Sequence, residues 1–263
     1  NSVITRTKGY GEILNAVMAK RLPIEANGLS GVHKAVVISA LIKQTEKKAV
    51  LITPDEAEAA KLAEDLEALN VKTLLFPSRD FFLGNLTAAS KEYEHKRIDT
   101  LSKLLDGAFD LLILPAEAAT QYTIPANILK ENRIKISLAD TLNVTDFCER
   151  LLSIGYSRCE LVEGAGQFAH RGGIIDIFPT NKSEPVRIEL WGDEVDSIST
   201  FEVLSQRRNE NIAEIEIFPA SELICNRLDL AKELADFMKG KKLSDKQKMI
   251  LRGDIEALEN GVS

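Results

Sequence analysis

Apolar residues along the first half of the chain fall into short continuous runs separated by helix-period stretches. Lys48 to Thr53 (KAVLIT) is bounded by Pro54-Asp55, Lys72 to Phe76 is closed by Pro77, and Phe109 to Leu114 (FDLLIL) is ended by Pro115. Each run has strand length and is apolar on both faces. Between them, Glu56 to Leu69 and Tyr93 to Leu105 repeat with an amphipathic helical period. Continuous apolar strands alternating with helices predict a parallel sheet covered on both faces, the α/β layer arrangement. Upstream, Ile24 to Asn27 is read as a short strand and Lys34 to Thr45 as an apolar-rich helix.

The pattern changes near Ile134. Val144 to Ser153 predicts one short helix, followed by closely spaced glycines (Gly155, Gly164, Gly166, Gly172, Gly173). Gly173 to Phe178, Val186 to Trp191 and Val195 to Val203 have strand length, with turn chemistry at Asn181 to Glu184 and Gly192-Asp193. These segments predict a small antiparallel α+β domain. Glu214 to Phe218 returns to a strand pattern. Leu228 to Lys239 and Ser244 to Glu259 return to helices, the second opened by a capping box, Ser244 with Gln247. The simplest organisation is an insertion: an α/β domain over 1–135 and 210–263, interrupted by an antiparallel domain over 136–209.

Composition narrows the function classes. The chain has 263 residues, 44% hydrophobic and 28% charged, an ordinary globular balance for one or two domains. The net charge of −7 disfavours autonomous, tight binding to nucleic-acid phosphates, which needs clustered Lys and Arg. Three widely spaced cysteines, Cys148, Cys159 and Cys225, lack C-x-x-C spacing and predict free thiols in a reducing cytoplasm, with no metal site. No apolar run reaches membrane-spanning length. The absence of an initial Met and the stop just after a helical pattern read as a piece of a longer chain.

One stretch has the form of a phosphate loop. Gly28-Leu29-Ser30-Gly31-Val32-His33-Lys34-Ala35 follows the expected strand and opens the expected helix, the context in which G-x-x-x-x-G-K-S/T cradles phosphates. Gly28 and Lys34 keep their spacing. His33 stands where the late Gly lets backbone wrap closely round a phosphate, and Ala35 where a hydroxyl ligates Mg²⁺. Lys34 still offers a charge to an anion at a helix N-terminus. The reading adopted is a relic turn without bound nucleotide. No buried strand ends on a carboxylate placed for Mg²⁺: Asp55 and Glu117 both read as helix-cap residues. His33, His95 and His170 have no metal-ligand spacing, and no serine lies in a nucleophile elbow. No catalytic residue is assigned.

The strand Val186-Arg187-Ile188-Glu189-Leu190-Trp191 carries a different signal. Alternation puts Val186, Ile188 and Leu190 on a core face, and Arg187, Glu189 and the only Trp of the chain on the other. Aromatic and Arg side chains on an open sheet face are the types that dominate interface hot spots, and Arg171 on a neighbouring strand would enlarge the patch. Alternation alone leaves a second reading open, with Trp191 packed beneath a domain interface and Arg187 paired with Glu189 or Asp176.

Three runs in fixed order, RGGIIDIFP (Arg171 to Pro179), PVRIELWGDEVDSI (Pro185 to Ile198) and FEVLSQR (Phe201 to Arg207), resemble the module shared by the excision-repair helicase UvrB and the bacterial transcription-repair coupling factor, Mfd. VLITPDEAEAAKLAEDL (Val50 to Leu66), LLFPSRDFF (Leu74 to Phe82) and FDLLILPAEAATQYTIP (Phe109 to Pro125) extend the resemblance over nearly the whole chain. UvrB carries an intact GVTGSGKT loop, where GLSGVHKA stands here. UvrB also threads a long β-hairpin through DNA, whereas Leu83 to Tyr93 reads as a direct connection to the next helix. Both departures favour the N-terminal region of the coupling factor.

The resemblance implies a degenerate P-loop, helicase-like α/β domain with an inserted antiparallel α+β docking domain that binds UvrA, in a monomeric cytoplasmic protein. The positions that contact UvrA map onto Arg171, Arg187 and Trp191, the last where the family usually carries Phe. It implies a non-catalytic fragment of a factor that recruits UvrA to stalled RNA polymerase. ATP, Mg²⁺, polymerase and double-stranded DNA would engage domains beyond this chain, which together form an ATP-dependent DNA translocase. The competing expectation is a nucleotide-dependent UvrB-like helicase fragment. A further one is that the Trp-Arg patch is masked by other parts of the full protein. On the docking reading, Arg187→Ala and Trp191→Ala each weaken UvrA binding without unfolding the chain.

Overall fold

A computed structural model describes residues 3–79, 91–224 and 227–260. The chain divides into two compact units, Asn1–Lys130 and Glu131–Ser263.

The first unit opens with α1 (Lys8–Met18) and α2 (Gly31–Thr45), then β1 (Ala49–Thr53), α3 (Glu56–Glu67), β2 (Thr73–Leu75), α4 (Lys91–Asp106), β3 (Leu111–Pro115) and α5 (Ala116–Thr120). α6 (Ala126–Glu131) spans the division between the units. The three strands form a parallel sheet in the order β1-β3-β2. Leu111 and Ile113 of β3 pack under α2 and α3, against Ala35, Ile42, Leu62 and Leu66. Leu112 and Leu114 face the other way, with Phe76, Leu101 and Ala118. The central strand is therefore covered on both faces, as its unbroken apolar run predicts. The edge strand β1 is not: Val50 and Ile52 are exposed. On that side α4 lies against β2, and α5 against β3 and β1.

Two expectations fail at the start of this unit. Residues 21–27 form no strand; the segment is exposed throughout and includes Pro23, which has no N–H to give a ladder. α2 begins at Gly31, three residues earlier than its apolar period indicates. Of the connection expected over Leu83 to Tyr93, residues up to 90 lie outside the described residues, as does Cys225. Cys148 and Cys159 are free thiols.

The second unit runs β4 (Ile134–Ser137), α7 (Val144–Ser153), β5 (Ser157–Arg158), β6 (Gln167–Arg171), β7 (Ile174–Phe178), β8 (Val186–Trp191), β9 (Glu194–Phe201), β10 (Arg208–Asn211), β11 (Glu214–Ile217), α8 (Arg227–Gly240) and α9 (Asp245–Asn260). Six strands form one sheet in the order β10-β9-β8-β7-β6-β5, antiparallel except for β5 with β6. α7 lays Phe147, Cys148 and Leu151 on one face, against Phe168, Ile175, Ile177, Val186, Ile188 and Ile198. The helix has the predicted limits because both ends are specified. Asn143 caps its start by accepting from Thr145 and Asp146 N–H. Its end is a Schellman turn, with Gly155 N–H to Leu152 O and Tyr156 N–H to Leu151 O. Gly155 has φ +96°, and a Cβ there would lie 2.5 Å from Ser221 Cβ, so only glycine fits. The capping box at α9 also forms, Ser244 N–H and hydroxyl both donating to Gln247 Oε1.

The organisation around this unit differs from expectation. β11 does not rejoin the parallel sheet but pairs with β4 in a separate antiparallel ribbon, Ile217 opposite Ile134. Ile136, Ile215 and Ile217 lie in the same core as α7 and the large sheet. Boundaries at 135/136 and 209/210 fall inside β4 and β10. No helix among the described residues is long and apolar enough to cross a membrane.

Candidate functional site

Two regions contain the residues singled out by sequence, and both are organised by a carboxylate that takes hold of a cation. The first is the loop before α2. Gly28 has φ +82°, so the chain does turn there as a glycine permits. Ser30 occupies the N-cap, but its side chain caps nothing; its hydroxyl lies 2.8 Å from His33 Nδ1. Gly31, Val32 and His33 already form the first helical turn, and Lys34 N–H donates to Ser30 O at 2.9 Å. What a phosphate loop leaves as an open cradle of N–H groups is wound into helix here. Lys34 Nζ donates to Glu58 Oε1 at 2.7 Å across to α3. The recess beside it is lined by Gly31, Lys34, Asp55, Glu58, Lys61 and Asp65, a set with more carboxylates than cations. Asp55 caps α3 by accepting from Glu58 N–H. An incoming phosphate would meet a lysine already paired and two further carboxylates, with Lys61 as the one other cation of the lining. Among the described residues no group of three or more His, Cys, Asp or Glu could hold a metal ion.

The second region is the face of the large sheet opposite α7. Register places Ala169, Asp176, Arg187 and Ser199 in a row across β6, β7, β8 and β9. This face has a small core of its own, Val162, Ala169 and Phe201 with Cys159 and Phe178 at its margin. Burial, and after it the charge of Glu163, push the Cys159 thiol up and keep it neutral. Asp176 is 1% exposed and would be costly there alone. Arg187 resolves that: Nε donates to Asp176 Oδ1 at 2.6 Å and Nη2 to Oδ2 at 2.9 Å, a bidentate fork. The guanidinium lies over the Phe201 ring, 4.8 Å from its centroid. Its last group, Nη1, donates to Gln206 O at 3.3 Å. Hydrogen bonding to Asp176 pushes the Arg187 pKa up, against the opposing effect of burial.

The three expected contact residues therefore fall into two kinds. Arg187 is mostly buried, its side chain 14% exposed. Arg171 donates one Nη2 bond to the same Asp176 Oδ2 at 2.9 Å, yet leaves half its side chain in solvent. Trp191, beside Gly192 at the tip of the β8–β9 hairpin, is 83% exposed. The two readings left open by alternation are each half right: Trp191 is open, and Arg187 is paired, with Asp176 and not Glu189. Glu189 accepts from Ser197 Oγ and is bridged to Arg208 of β10.

Sequence reasoning named Asp176 only as one of two possible partners. Its signal is a lone carboxylate inside an otherwise apolar strand, IIDIF, which demands a buried counter-charge. The loop after β9 entered only as part of the FEVLSQR resemblance, with no contact residue assigned to it. It is tied by Glu202 N–H to Arg207 O, Gln206 N–H to Glu202 O and Gln206 Nε2 to Val203 O. It carries Leu204 94% exposed.

Residues 134–223 match the UvrB interaction domain family. Over 236 residues the chain is 35% identical to the transcription-repair-coupling factor of Bacillus subtilis, covering 87% of this chain and 20% of that protein. The corresponding protein of Staphylococcus aureus (strain MRSA252) is 34% identical over 199 residues, covering 75% and 17%, and that of Staphylococcus haemolyticus is 33% identical over 203 residues, covering 76% and 17%. The chain thus spans about a fifth of the length of these curated relatives.

Proposed function

We infer a docking function for this chain, which is a homologue of the bacterial transcription-repair-coupling factors and carries a UvrB interaction domain match over residues 134–223. The second unit binds UvrA, and the fragment contributes no chemistry of its own. In the full protein it recruits UvrA to RNA polymerase stalled on double-stranded DNA. Polymerase binding and ATP-driven translocation belong to regions outside this chain. The first unit is the degenerate, helicase-like remainder of a phosphate-loop domain. The docking domain is the matched span itself, closed at its two ends by β4 and β11.

One observation carries this reading: a large aromatic, Trp191, stands in solvent on the same sheet face as the half-exposed Arg171, while the opposite face packs into the core. Trp and Arg on a rigid support are the residues from which interface hot spots are made. The paired Lys34 and the wound turn before it support the absence of nucleotide chemistry.

Titration calorimetry with purified UvrA tests it. Trp191→Ala removes a side chain that touches little in the free chain, so the urea midpoint stays where it is. Loss of a hot-spot aromatic costs about 2 kcal/mol or more, roughly a thirtyfold weaker Kd. Equal affinity for UvrA with and without Trp191 would remove the site assignment.

A further inference from the structure

The docking face has a second exposed apolar group that the contact set Arg171, Arg187 and Trp191 leaves out. Leu204, at 94% exposure, is among the most exposed large hydrophobic residues of the described chain segments. An isolated exposed leucine is ordinary on a protein surface. This one sits on a loop that is fastened, not free. Besides its internal bonds, the loop is held at Gln206 O by Arg187 Nη1, and at Arg208, just beyond its end, by Glu189. Both anchoring partners lie on β8, on the face that carries Trp191. The chain has ordered a short loop over this face with an apolar side chain at its tip.

Trp191 and Leu204 stand at opposite ends of the β8–β9 hairpin. Phe201, where β9 ends, lies level with Pro185, to whose carbonyl its N–H donates. From there to Trp191 is about 20 Å at the usual rise of a strand. A standard interface buries about 800 Å² on each partner, a patch roughly 30 Å across, so both tips fit within one footprint. Between them the charges are nearly balanced. Glu189 pairs with Arg208, and Asp176 is shared by Arg187 and Arg171, so these pairs leave a positive charge over at the half-exposed Arg171, while the exposed Glu194 lies cross-strand from Trp191.

We propose that Leu204 is a second apolar anchor of the docking surface, and that Arg187 serves this surface as a positioning residue by holding the Leu204 loop through Gln206. The matching partner surface has two apolar recesses separated by a carboxylate facing Arg171. The proposal rests on the UvrA reading and names how that partner is held.

The test is calorimetry of the whole chain with UvrA for Leu204→Ala, Leu204→Asp and Trp191→Ala, beside urea denaturation and light scattering of each. Leucine is a weaker hot-spot residue than tryptophan, so Leu204→Ala weakens Kd about tenfold and Leu204→Asp further, with the urea midpoint unchanged. If Trp191→Ala weakens binding and both Leu204 variants bind like the parent, the second anchor is overturned and the UvrA reading stands. If none of the three changes binding, the reading falls and the anchor with it. A wild-type dimer that Leu204→Asp converts to monomer would make a second copy of this chain the occupant, and would also overturn the proposal. So would a lowered urea midpoint for Leu204→Ala, because it would place the side chain in packing.

Discussion

Lys34 in the first unit and Arg187 in the second begin as the same kind of residue, a cation that sequence pattern aims outward at a ligand. Both turn out to be held by a carboxylate of the neighbouring element, Glu58 and Asp176. The settings differ. Lys34 and Glu58 are both partly solvated, and their pair lines a recess with more carboxylates than cations. Asp176 is buried, and its fork with Arg187 joins β7 to β8 and fixes the loop after β9. The solvated pair occupies a lysine that could otherwise face a ligand, whereas the buried pair supports the strand face on which other residues are displayed. A functional arginine therefore need not be a contact residue.

Substitution can break this contrast. The largest effect falls on Arg187→Ala, which leaves the buried Asp176 carboxylate with a single bond from the half-exposed Arg171. Removing one partner of a buried pair costs about 3–5 kcal/mol. The urea midpoint of the chain drops accordingly, and UvrA binding fails together with folding. This replaces the expectation that Arg187→Ala weakens binding alone; a normal midpoint with lost binding would restore Arg187 as a direct contact. Trp191→Ala, at about 2 kcal/mol in binding and none in stability, is the complementary case.

A smaller effect separates core from platform. Tyr156 is buried and donates its hydroxyl to Phe218 O at 2.8 Å. Burial pushes its pKa well above the ordinary value. The unfolded phenol ionises near about pH 10. Stability from this group is therefore complete below that pH and declines as pH rises above it, toward the folded pKa. Tyr156→Phe loses about 1 kcal/mol near neutral pH and shows a shallower decline between pH 9 and 11. An identical alkaline profile in the variant would remove Tyr156 as its source.

The smallest effect belongs to Lys34→Ala. A solvated pair contributes about 0–1 kcal/mol, so the urea midpoint barely moves. Mg-ATP gives no heat with either protein. Heat with the parent that the variant lacks would return the first unit to nucleotide binding.

Sequence made the elements legible where local rules specify them. The limits of α7 follow from Asn143 and Gly155, and the two faces of β8 follow from strict alternation. The Gly192-Asp193 turn and the capping box of α9 were likewise readable. What escaped was pairing at a distance. EIEI declares a strand but not its partner, and β11 joins β4, 80 residues away in register, instead of the parallel sheet. β10, RNEN, is exposed along its length and carries no apolar signal, because backbone bonds to β9 alone make it a strand. At the site, alternation assigned Arg187 to the correct face but could not say that Asp176 waits directly across on β7. Leu204 was invisible because a leucine between strands reads as an ordinary loop residue until its loop is found tied to Arg187.

The ribbon of β4 and β11 has one more consequence. Ile134 and Ile217 are opposite each other in register, so the two ends of the unit that matches the UvrB interaction domain family lie side by side. A segment whose two ends meet can be spliced into a surface loop of a host fold while asking little of that host's geometry. The same closure makes 134–223 a transplantable cassette: moved into another scaffold, it would bring along its core, its Arg187–Asp176 clasp and its displayed Trp191 as one inheritance.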